Sequence, residues 1–440
     1  MKMETKAETT EFQGTRSRKF LNSSKIATDL QKQYYLEVKE RAAHGEPVIW
    51  TDVGIPQEIM HAMDLPTFHN PNWSAILTAK QMAAHYLDVL NERGYFRDLC
   101  RYCTVPLGYF FENKPEKAPW GGAPRPTAIV GTVCDDPMLR IYELMAKELN
   151  VPLYLWDHTM VAEPPREPIW NRVEDIEAYS YKEDWRLDYA VKENEGLISF
   201  LETVTGRSLR EKKLREVMER SNEQFETIQM AMDLAARVPT PMGMGDHMAN
   251  LIYTQFFRGH EWGLAQAKRL YEELKERVDQ GIAAYKNERI RLMYLWVPNW
   301  FTPGFYESFE EKYGAVFAWL GYLPTITRQL IRKNLSDPLK ALAARYVHYT
   351  EFGLPPWWIE MMVYEAKRFK VDGAIYPLAE SCKLLCGPMH MVIRAFEKIG
   401  VPTLELRTDM VDVREWDDAK MKAQISNFIE MLIERKGMTA

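Results

Sequence analysis

The sequence has few cysteines and lacks long hydrophobic runs. Cysteine occupies five of 440 positions, an odd number, and no apolar signal segment is apparent, so a secreted disulfide scaffold is not expected. No apolar stretch approaches the roughly 20 residues that a membrane-spanning helix requires. The formal net charge of −6 argues against a nucleic-acid-binding surface. These absences predict a cytoplasmic globular protein of two or three domains, with no membrane or nucleic-acid partner.

Three nucleotide and nucleophile motifs are also missing. Neither G-x-G-x-x-G nor G-x4-G-K-[ST] follows a predicted strand, so no dinucleotide or ATP site is expected on this chain. No G-x-S-x-G turn offers a serine nucleophile. The remaining candidates for chemistry are cysteine, acidic and histidine side chains.

Predicted strands and helices alternate in two separate parts of the chain. In the first part, strands at 47–53, 127–133 and 151–156 alternate with helices, which is the spacing of β-α-β units in a parallel sheet. A second alternating series begins at Arg291, and residues 185–287 between the two series form long amphipathic helices. The expected fold is α/β, with two doubly wound parallel-sheet domains and a helical middle segment. The predicted divisions are a tail and helix (1–44), a first α/β domain (45–160), a linker and helical segment (161–289) and a second α/β domain (290–440).

The five cysteines form three groups at the ends of predicted elements. Cys100 and Cys103 are the first group, Cys134 is the second, and Cys382 and Cys386 are the third. Ligands collect at the carboxyl ends of strands in parallel α/β domains, so thiols from three such ends could converge on one point. A thiolate cluster of this kind suits iron–sulfur or zinc. The spacing alone leaves open the alternative that the cysteines are small buried apolar residues.

Glu58 and His390 are candidate proton-handling residues. Glu58 opens a predicted helix beside the end of a strand, and His390 lies on the helix after Cys386. Each has a structural alternative, because an acidic residue is favourable at a helix N-terminus and His390 could be a partly buried helix residue. Aromatic residues near Pro and Gly, such as Trp296 and Trp300, can line an apolar pocket or a subunit interface, and the alternative for most of the aromatic residues is a place in the core.

A series of motifs resembles the family that contains the 2-hydroxyacyl-CoA dehydratases and the ATP-dependent benzoyl-CoA reductases. The resemblance covers residues 45–435 and is weakest across the helical middle segment. The matching segments are I-P-Q-E-I at 55–59, L-C-R-Y at 99–102, L-G at 107–108, C-D at 134–135, S-C-K at 381–383, G-V-P at 400–402, D-M-V-D-V-R at 409–414 and the helix at 424–432.

The resemblance implies a [4Fe–4S] cluster that is bound by three cysteines and leaves one iron open. Carried over by motif, the ligands are Cys100, Cys134 and Cys382, while Cys103 and Cys386 are alternates for their neighbours. The resemblance also implies a heterodimer with a related iron–sulfur subunit. A separate ATP-hydrolysing iron–sulfur activator would deliver electrons at low potential, which would account for the missing nucleotide motifs.

Two chemistries compete within the resembled family. Reductases add electrons to an aromatic acyl-CoA ring, whereas dehydratases expel the hydroxyl of a 2-hydroxyacyl-CoA. The long chain and its aromatic content, with 13 Trp and 22 Tyr, favour a large subunit of a benzoyl-CoA reductase-like oxidoreductase. A 2-hydroxyacyl-CoA dehydratase subunit is the alternative, and a non-catalytic scaffold subunit is the third hypothesis. The acyl group of the acyl-CoA substrate is expected among Trp296, Trp300 and Trp319, with Glu58 and His390 handling protons.

Overall fold

A computed structural model describes residues 14–133, 136–157, 184–321, 323, 331–347 and 355–438. This part of the chain contains two four-stranded sheets, and every strand pair in both sheets is parallel. The predicted α/β class, with two parallel sheets and many helices, is confirmed. Among the described helices, none is both long enough and apolar enough to cross a membrane.

The N-terminal sheet consists of β1 (Ile49–Thr51), β2 (Thr67–His69), β3 (Ala128–Val133) and β4 (Leu153–Asp157). Its strand order is β2-β1-β3-β4. The central strands β1 and β3 are almost wholly buried, as expected for strands of a parallel sheet that is covered on both faces. The helices of this half are α1 (Asn22–Ala43), α2 (Gln57–Ala62), α3 (Asn70–Ala79), α4 (Ala83–Glu92), α5 (Arg101–Glu112) and α6 (Asp136–Leu149).

The helical middle segment lies between the two sheets in the chain. Its helices are α7 (Asp184–Thr205), α8 (Glu211–Ala235), α9 (Met244–Phe256) and α10 (Glu261–Asp279). Helices α8 and α10 pack against each other, and α9 is buried along nearly its whole length. The carboxylate of Asp246 accepts hydrogen bonds from the backbone of Gly243 and of Leu21, so it fixes the start of α9 next to α1. Residues 161–183 of the predicted linker lie outside the described part of the chain.

The C-terminal sheet consists of β5 (Ile290–Tyr294), β6 (Ala315–Leu320), β7 (Gly373–Ala379) and β8 (Thr403–Thr408). Its order, β6-β5-β7-β8, repeats the order of the N-terminal sheet. Strands β5, β6 and β7 are buried at every position, so their apolar runs fit a sheet that is covered on both faces. The helices of this half are α11 (Glu307–Tyr313), α12 (Pro338–Val347), α13 (Pro355–Arg368), α14 (Lys383–Cys386), α15 (Met389–Lys398) and α16 (Asp418–Arg435).

Candidate active site

A cavity of about 760 Å³, including its opening to solvent, lies at the carboxyl ends of both sheets. Segments that directly follow β1, β5, β7 and β8 line it, together with the first turn of α5 and the last turn of α9. Ligands of parallel α/β proteins bind at this edge of the sheet, and mostly apolar walls are typical of ligand sites. Among the lining residues are Asp52, Cys100, Cys103, Gln255, Phe256, Trp296 and Cys382.

Three cysteines from the two halves meet in this cavity. Cys100 is the residue before α5, and Cys103 lies in the first turn of that helix, where its backbone N–H donates to the Cys100 carbonyl at 3.1 Å. Cys382 follows β7 and precedes the short helix α14. All three side chains are buried. The predicted residues are therefore brought together, but only Cys382 follows a strand; Cys100 and Cys103 lie at the start of helix α5, so the expectation that each group of thiols comes from a strand end is wrong for this pair.

The thiol of Cys100 is hydrogen-bonded to the thiols of both neighbouring cysteines. Hydrogen bonds from the thiols of Cys103 and then Cys382 hold the pKa of Cys100 well below its usual range, although burial alone would raise it. Backbone N–H groups of Cys103 and Tyr102 act in the same direction, as the first turn of a helix does for a thiolate. A thiolate at Cys100 is the form of cysteine that binds metals.

Cys386 differs from the other described cysteines. Its thiol donates to the carbonyl of Ala379 at 3.1 Å, and the side chain is only half-buried. Burial raises the pKa of Cys386, so the neutral thiol is favoured there. Of the two predicted alternates, Cys103 lines the cavity beside Cys100, while Cys386 is not among the described residues that line it.

The predicted third ligand, Cys134, lies outside the described residues. Strand β3 ends at Val133, and Met138 of the following helix α6 lines the cavity. In the described part of the chain, no group of three or more histidine, cysteine or acidic side chains is arranged to hold a metal ion. The three-cysteine ligand set therefore stays a prediction.

A buried carboxylate links the two cysteine segments. Asp409, which follows β8, accepts a hydrogen bond from Ser381 at 2.7 Å, and its Oδ2 lies 3.5 Å from the Arg101 guanidinium. Arg101 directly follows Cys100, and Ser381 directly precedes Cys382. Burial raises the pKa of Asp409, whereas its backbone and Ser381 hydrogen bonds oppose that rise.

A second carboxylate completes this link. Asp412 lies 3.5 Å from Arg101 and accepts from Arg414 Nε at 2.7 Å. Burial alone would raise the pKa of Asp412, but the hydrogen bonds and charge of Arg414 lower it. The D-x-x-D-x-R segment therefore positions the two segments that carry Cys100 and Cys382.

Glu58 is fully buried in a polar network. Its carboxylate accepts hydrogen bonds from Arg345 at 2.7 Å, from Tyr346 at 2.9 Å and from Ser221 at 3.2 Å. Burial opposes ionisation, but the charges of Arg345 and Arg258 lower the pKa of Glu58. Glu58 is not among the described residues that line the cavity.

His390 lies on α15 and is exposed. It too is absent from the described cavity wall. The structure does not bring Glu58 and His390 together at the thiols. Their roles in proton transfer remain predictions.

The three predicted aromatic residues have different environments. Trp296 lines the cavity and packs edge-on against Trp358, with ring centroids 4.7 Å apart. Trp300 and Trp319 are buried but are not among the described lining residues; Trp319 donates to Glu365 at 3.2 Å. Of the three tryptophans expected around the acyl group, only Trp296 lines the described cavity.

The backbone of Trp296 has an unusual conformation for a bulky residue. Its φ angle is 80°, in the left-handed region that disfavours large side chains. A Cβ atom at Gly321 would lie 2.8 Å from the Trp296 nitrogen, so glycine at that position makes room for this conformation. Backbone strain of this kind is concentrated at functional sites.

Two polar residues of the cavity wall were not predicted from the sequence. Asp52 follows β1, and Gln255 is the penultimate residue of α9. Both are buried. The sequence signal for Gln255 is an amide within the otherwise apolar end of a helix, but only tertiary packing brings the end of that helix to the segment after β1.

The chain matches the family described as 2-hydroxyglutaryl-CoA dehydratase, D-component, over residues 52–432. It is similar to the (R)-2-hydroxyisocaproyl-CoA dehydratase alpha subunit of Clostridioides difficile, with 25% identity over 414 residues that cover 93% of this chain and 96% of the relative. It is also similar to the (R)-phenyllactyl-CoA dehydratase alpha subunit of Clostridium sporogenes, with 25% identity over 405 residues that cover 91% of this chain and 92% of that relative.

A reductase is similar as well. One subunit of the benzoyl-CoA reductase of Thauera aromatica is 24% identical over 413 residues, which cover 89% of this chain and 90% of the reductase chain. The family match begins at the end of β1 and includes all the described segments that line the cavity.

Proposed function

Because the chain belongs to the 2-hydroxyglutaryl-CoA dehydratase D-component family, we propose that it is the iron–sulfur subunit of a 2-hydroxyacyl-CoA dehydratase. The observation that supports this proposal is the meeting of Cys100, Cys103 and Cys382 in a largely apolar cavity at the carboxyl ends of both sheets. Three dehydratase alpha subunits and a reductase subunit share this family resemblance along nearly the whole chain. The proposal therefore gives the dehydratase alternative precedence over aromatic-ring reduction.

The cavity's donor set fits an iron–sulfur cluster. Cysteine thiolates are the usual ligands of [4Fe–4S] clusters, and the hydrogen bonds that lower the pKa of Cys100 favour its thiolate form. We propose Cys100, Cys134 and Cys382 as ligands, with Cys103 as the alternate for Cys100. A cluster held there would supply single electrons and an open iron that acts as a Lewis acid.

The chain's own residues would then bind and isolate the acyl group. Trp296 and Phe256 form apolar walls that exclude water from the reacting atoms. Asp409 would hold the Cys100 and Cys382 segments at a fixed separation through Arg101 and Ser381. Glu58 and His390 remain the proposed proton-handling residues, provided that the partner subunit or substrate binding brings the reacting atoms within reach.

The proposal includes two protein partners. The relatives are named as alpha subunits, which indicates that they act with another subunit, and we propose a related iron–sulfur subunit as the partner of this chain. A separate ATP-hydrolysing activator would deliver the electrons, since the sequence has neither of the nucleotide motifs sought above.

Anaerobic purification of the chain with its partner subunit tests the proposal. We expect stoichiometric iron and sulfide, and dehydration of a 2-hydroxyacyl-CoA when the activator, ATP and a reductant are added. A complex without iron, or one that leaves every 2-hydroxyacyl-CoA unchanged, would contradict it.

Aromatic acyl-CoA reduction is the second candidate. The aromatic wall that Trp296, Tyr102 and Phe256 contribute, and the similarity to a benzoyl-CoA reductase, favour it. The same purified complex distinguishes the two, because ring reduction of benzoyl-CoA consumes electrons in proportion to product, whereas dehydration needs no net electron input. A non-catalytic scaffold is disfavoured by the cavity beside the thiols.

A further inference from the structure

Gln255 presents an unsatisfied side-chain amide at the wall of the cavity. The residue is 1% exposed, and neither its Nε2 nor its Oε1 has a hydrogen-bond partner among the described residues. Burial of an amide without partners is unfavourable, and such groups are rare in folded proteins. The surrounding wall is mostly apolar, so the amide stands out as a polar group that a ligand could satisfy.

The position of Gln255 is rigidly fixed by its neighbours. The buried Arg258 donates to the backbone carbonyl of Gln255 at 2.6 Å and to the carbonyls of Val53 at 2.9 Å and Ile55 at 2.6 Å. One guanidinium therefore ties the end of α9 to the segment that follows β1. Fixed elements of this kind hold a binding group more accurately than a mobile loop does.

An amide that lacks both partners is complementary to a particular pair of groups. Its NH₂ can donate to a carbonyl oxygen while its own oxygen accepts from a hydroxyl. A 2-hydroxyacyl thioester carries these two groups on adjacent carbon atoms. A benzoyl thioester offers only the carbonyl and would leave Oε1 buried without a donor, which is costly.

We propose that Gln255 is a specificity-determining residue that recognises the 2-hydroxyacyl unit, with Nε2 donating to the thioester carbonyl and Oε1 accepting from the 2-hydroxyl. This inference rests on the proposed function and deepens it by assigning the discrimination of hydroxylated from non-hydroxylated acyl groups to one side chain. The aromatic and aliphatic walls contact the remainder of the acyl chain. Gln255 therefore binds the 2-hydroxyl and thioester carbonyl, which all such substrates share.

Equilibrium binding to the anaerobic complex, without activator or ATP, tests the inference separately from turnover. The probes are pairs of thioesters that differ by the hydroxyl alone: lactoyl- and propionyl-CoA, 2-hydroxyisocaproyl- and isocaproyl-CoA, and phenyllactyl- and 3-phenylpropionyl-CoA. For the pair whose chain fits, we expect the wild-type complex to bind the hydroxylated member roughly tenfold or more tightly, the effect of one well-placed buried hydrogen bond.

Gln255→Met keeps the length of the side chain but removes both hydrogen-bonding groups. We expect it to abolish the preference for the hydroxylated thioester while iron and sulfide contents stay unchanged. Since the substitution removes an unsatisfied buried amide, the unliganded variant should melt at the same temperature as wild type or about 1 to 4 °C higher. A structural role for Gln255 would instead lower the melting temperature.

Gln255→Leu provides a second variant in case the methionine complex does not assemble, and Cys386→Ser serves as a matched control near the thiols but outside the described cavity wall. If the wild-type complex dehydrates a 2-hydroxyacyl-CoA but the Gln255 variants keep the preference for its hydroxyl, the Gln255 assignment is wrong and the proposed function stands. If the wild-type complex binds none of the six thioesters and also dehydrates no 2-hydroxyacyl-CoA with activator, ATP and reductant, the proposed function fails and the Gln255 assignment fails with it.

Discussion

The two sheets have the same strand order but contribute different chemistry to the cavity. In each, the first strand of the half lies second in the sheet and the third strand lies beside it. After β1 the chain supplies a carboxylate, Asp52, whereas after the corresponding strand β5 it supplies an indole, Trp296. The segments that follow corresponding strands thus contribute a carboxylate in one half and an indole in the other.

The cysteines show the same asymmetry. Cys134 follows β3 and Cys382 follows β7, which are corresponding strands of the two halves. Cys100 and Cys103 lie in the connection from β2 to β3, but the connection from β6 to β7 contains no cysteine. A shared architecture therefore does not produce a shared site, because residues in the connections decide which half supplies which ligand.

Substitution of the cysteines should have the largest effect, a loss of iron and of turnover, and it compares the ligands of the two halves. Cys100→Ser and Cys382→Ser should each lose iron and reduce turnover below detection, because each removes a proposed ligand from a different half. Cys386→Ser should retain both, since its thiol bonds to Ala379. Iron and sulfide analysis of anaerobically purified variants, with activity assays, provides the measurement. Iron retained in Cys100→Ser but lost in Cys103→Ser would reassign the ligand to the alternate.

Alkaline pH should weaken the C-terminal half through Glu310. Burial raises the pKa of Glu310 to about 8. Between the unfolded pKa near 4.5 and about 8, the folded state retains a proton that the unfolded state has lost, so stability falls as pH rises. Between pH 5 and pH 8.5, the free energy of unfolding of Glu310→Gln should fall by about 4 kcal/mol less than that of the wild type. Urea unfolding at the two pH values measures this difference. The exposed neighbour substitution Glu311→Gln should leave the pH dependence unchanged.

Acidic pH should weaken the N-terminal half through His61. Burial lowers the pKa of His61 to about 4, while its ring nitrogen hydrogen-bonds the carbonyl of Arg258. Below about pH 6.5 the unfolded histidine binds a proton that the folded one does not, so stability falls as pH decreases towards 4. His61→Gln should reduce this acid-induced loss by about 3 kcal/mol in urea titrations at pH 7 and pH 4.5. His44→Gln, at an exposed site, is the control, and an equal reduction there would contradict the assignment.

The link between the halves can be weakened at Asp409. Asp409→Asn removes the charge that faces Arg101 in one half but keeps a group that Ser381 in the other can reach. We expect a loss of about 2 kcal/mol in the free energy of unfolding, because Arg101 is largely buried and loses a partner. Glu415→Gln, at the exposed end of the same Arg101 contacts, should cost less than about 1 kcal/mol. Equal losses in the two variants would show that burial does not strengthen the link.

Proton transfer has the smallest expected effect. Glu58→Gln and His390→Ala should lower turnover per bound iron by at least about tenfold, the low part of the range for general acid–base groups. Glu58 lies in the N-terminal half and His390 in the C-terminal half, so the pair also tests whether each half provides a proton-handling group. Unchanged turnover per iron in both variants would assign Glu58 to its ion pair with Arg345 and His390 to the surface.

Strands within apolar runs were predictable from the sequence, but elements without a clear pattern were not. The β6 run Ala315–Leu320 appears as expected because an unbroken apolar segment predicts a buried parallel strand. Strand β2 has three residues, too few for a periodic pattern, and helix α5 contains Pro106, which normally argues against a helix interior. Tertiary packing decides both.

The sequence identified the cysteines of the candidate site but not the amide side chain of Gln255. Cys100 and Cys382 could be selected because each ends an element beside a turn and matches a motif. Spacing could not decide between Cys382 and Cys386; in the structure Cys382 lines the cavity, whereas the thiol of Cys386 donates to the carbonyl of Ala379. Gln255 carries no motif, and its position depends on Arg258, which ties α9 to the end of β1.

The shared cavity has a consequence for the order of folding. Arg101 contacts Glu415 across 314 residues of sequence, and the cavity wall takes residues from both halves. Contacts between such distant residues close large loops and form late. During synthesis the N-terminal sheet can fold before the segments after β7 and β8 have been made. The cavity wall then lacks its C-terminal residues, and the thiols of Cys100 and Cys103 are not yet covered by them. Any group that needs both walls can therefore be enclosed only after the C-terminal segments have been made, so completion of the site depends on synthesis of almost the whole chain.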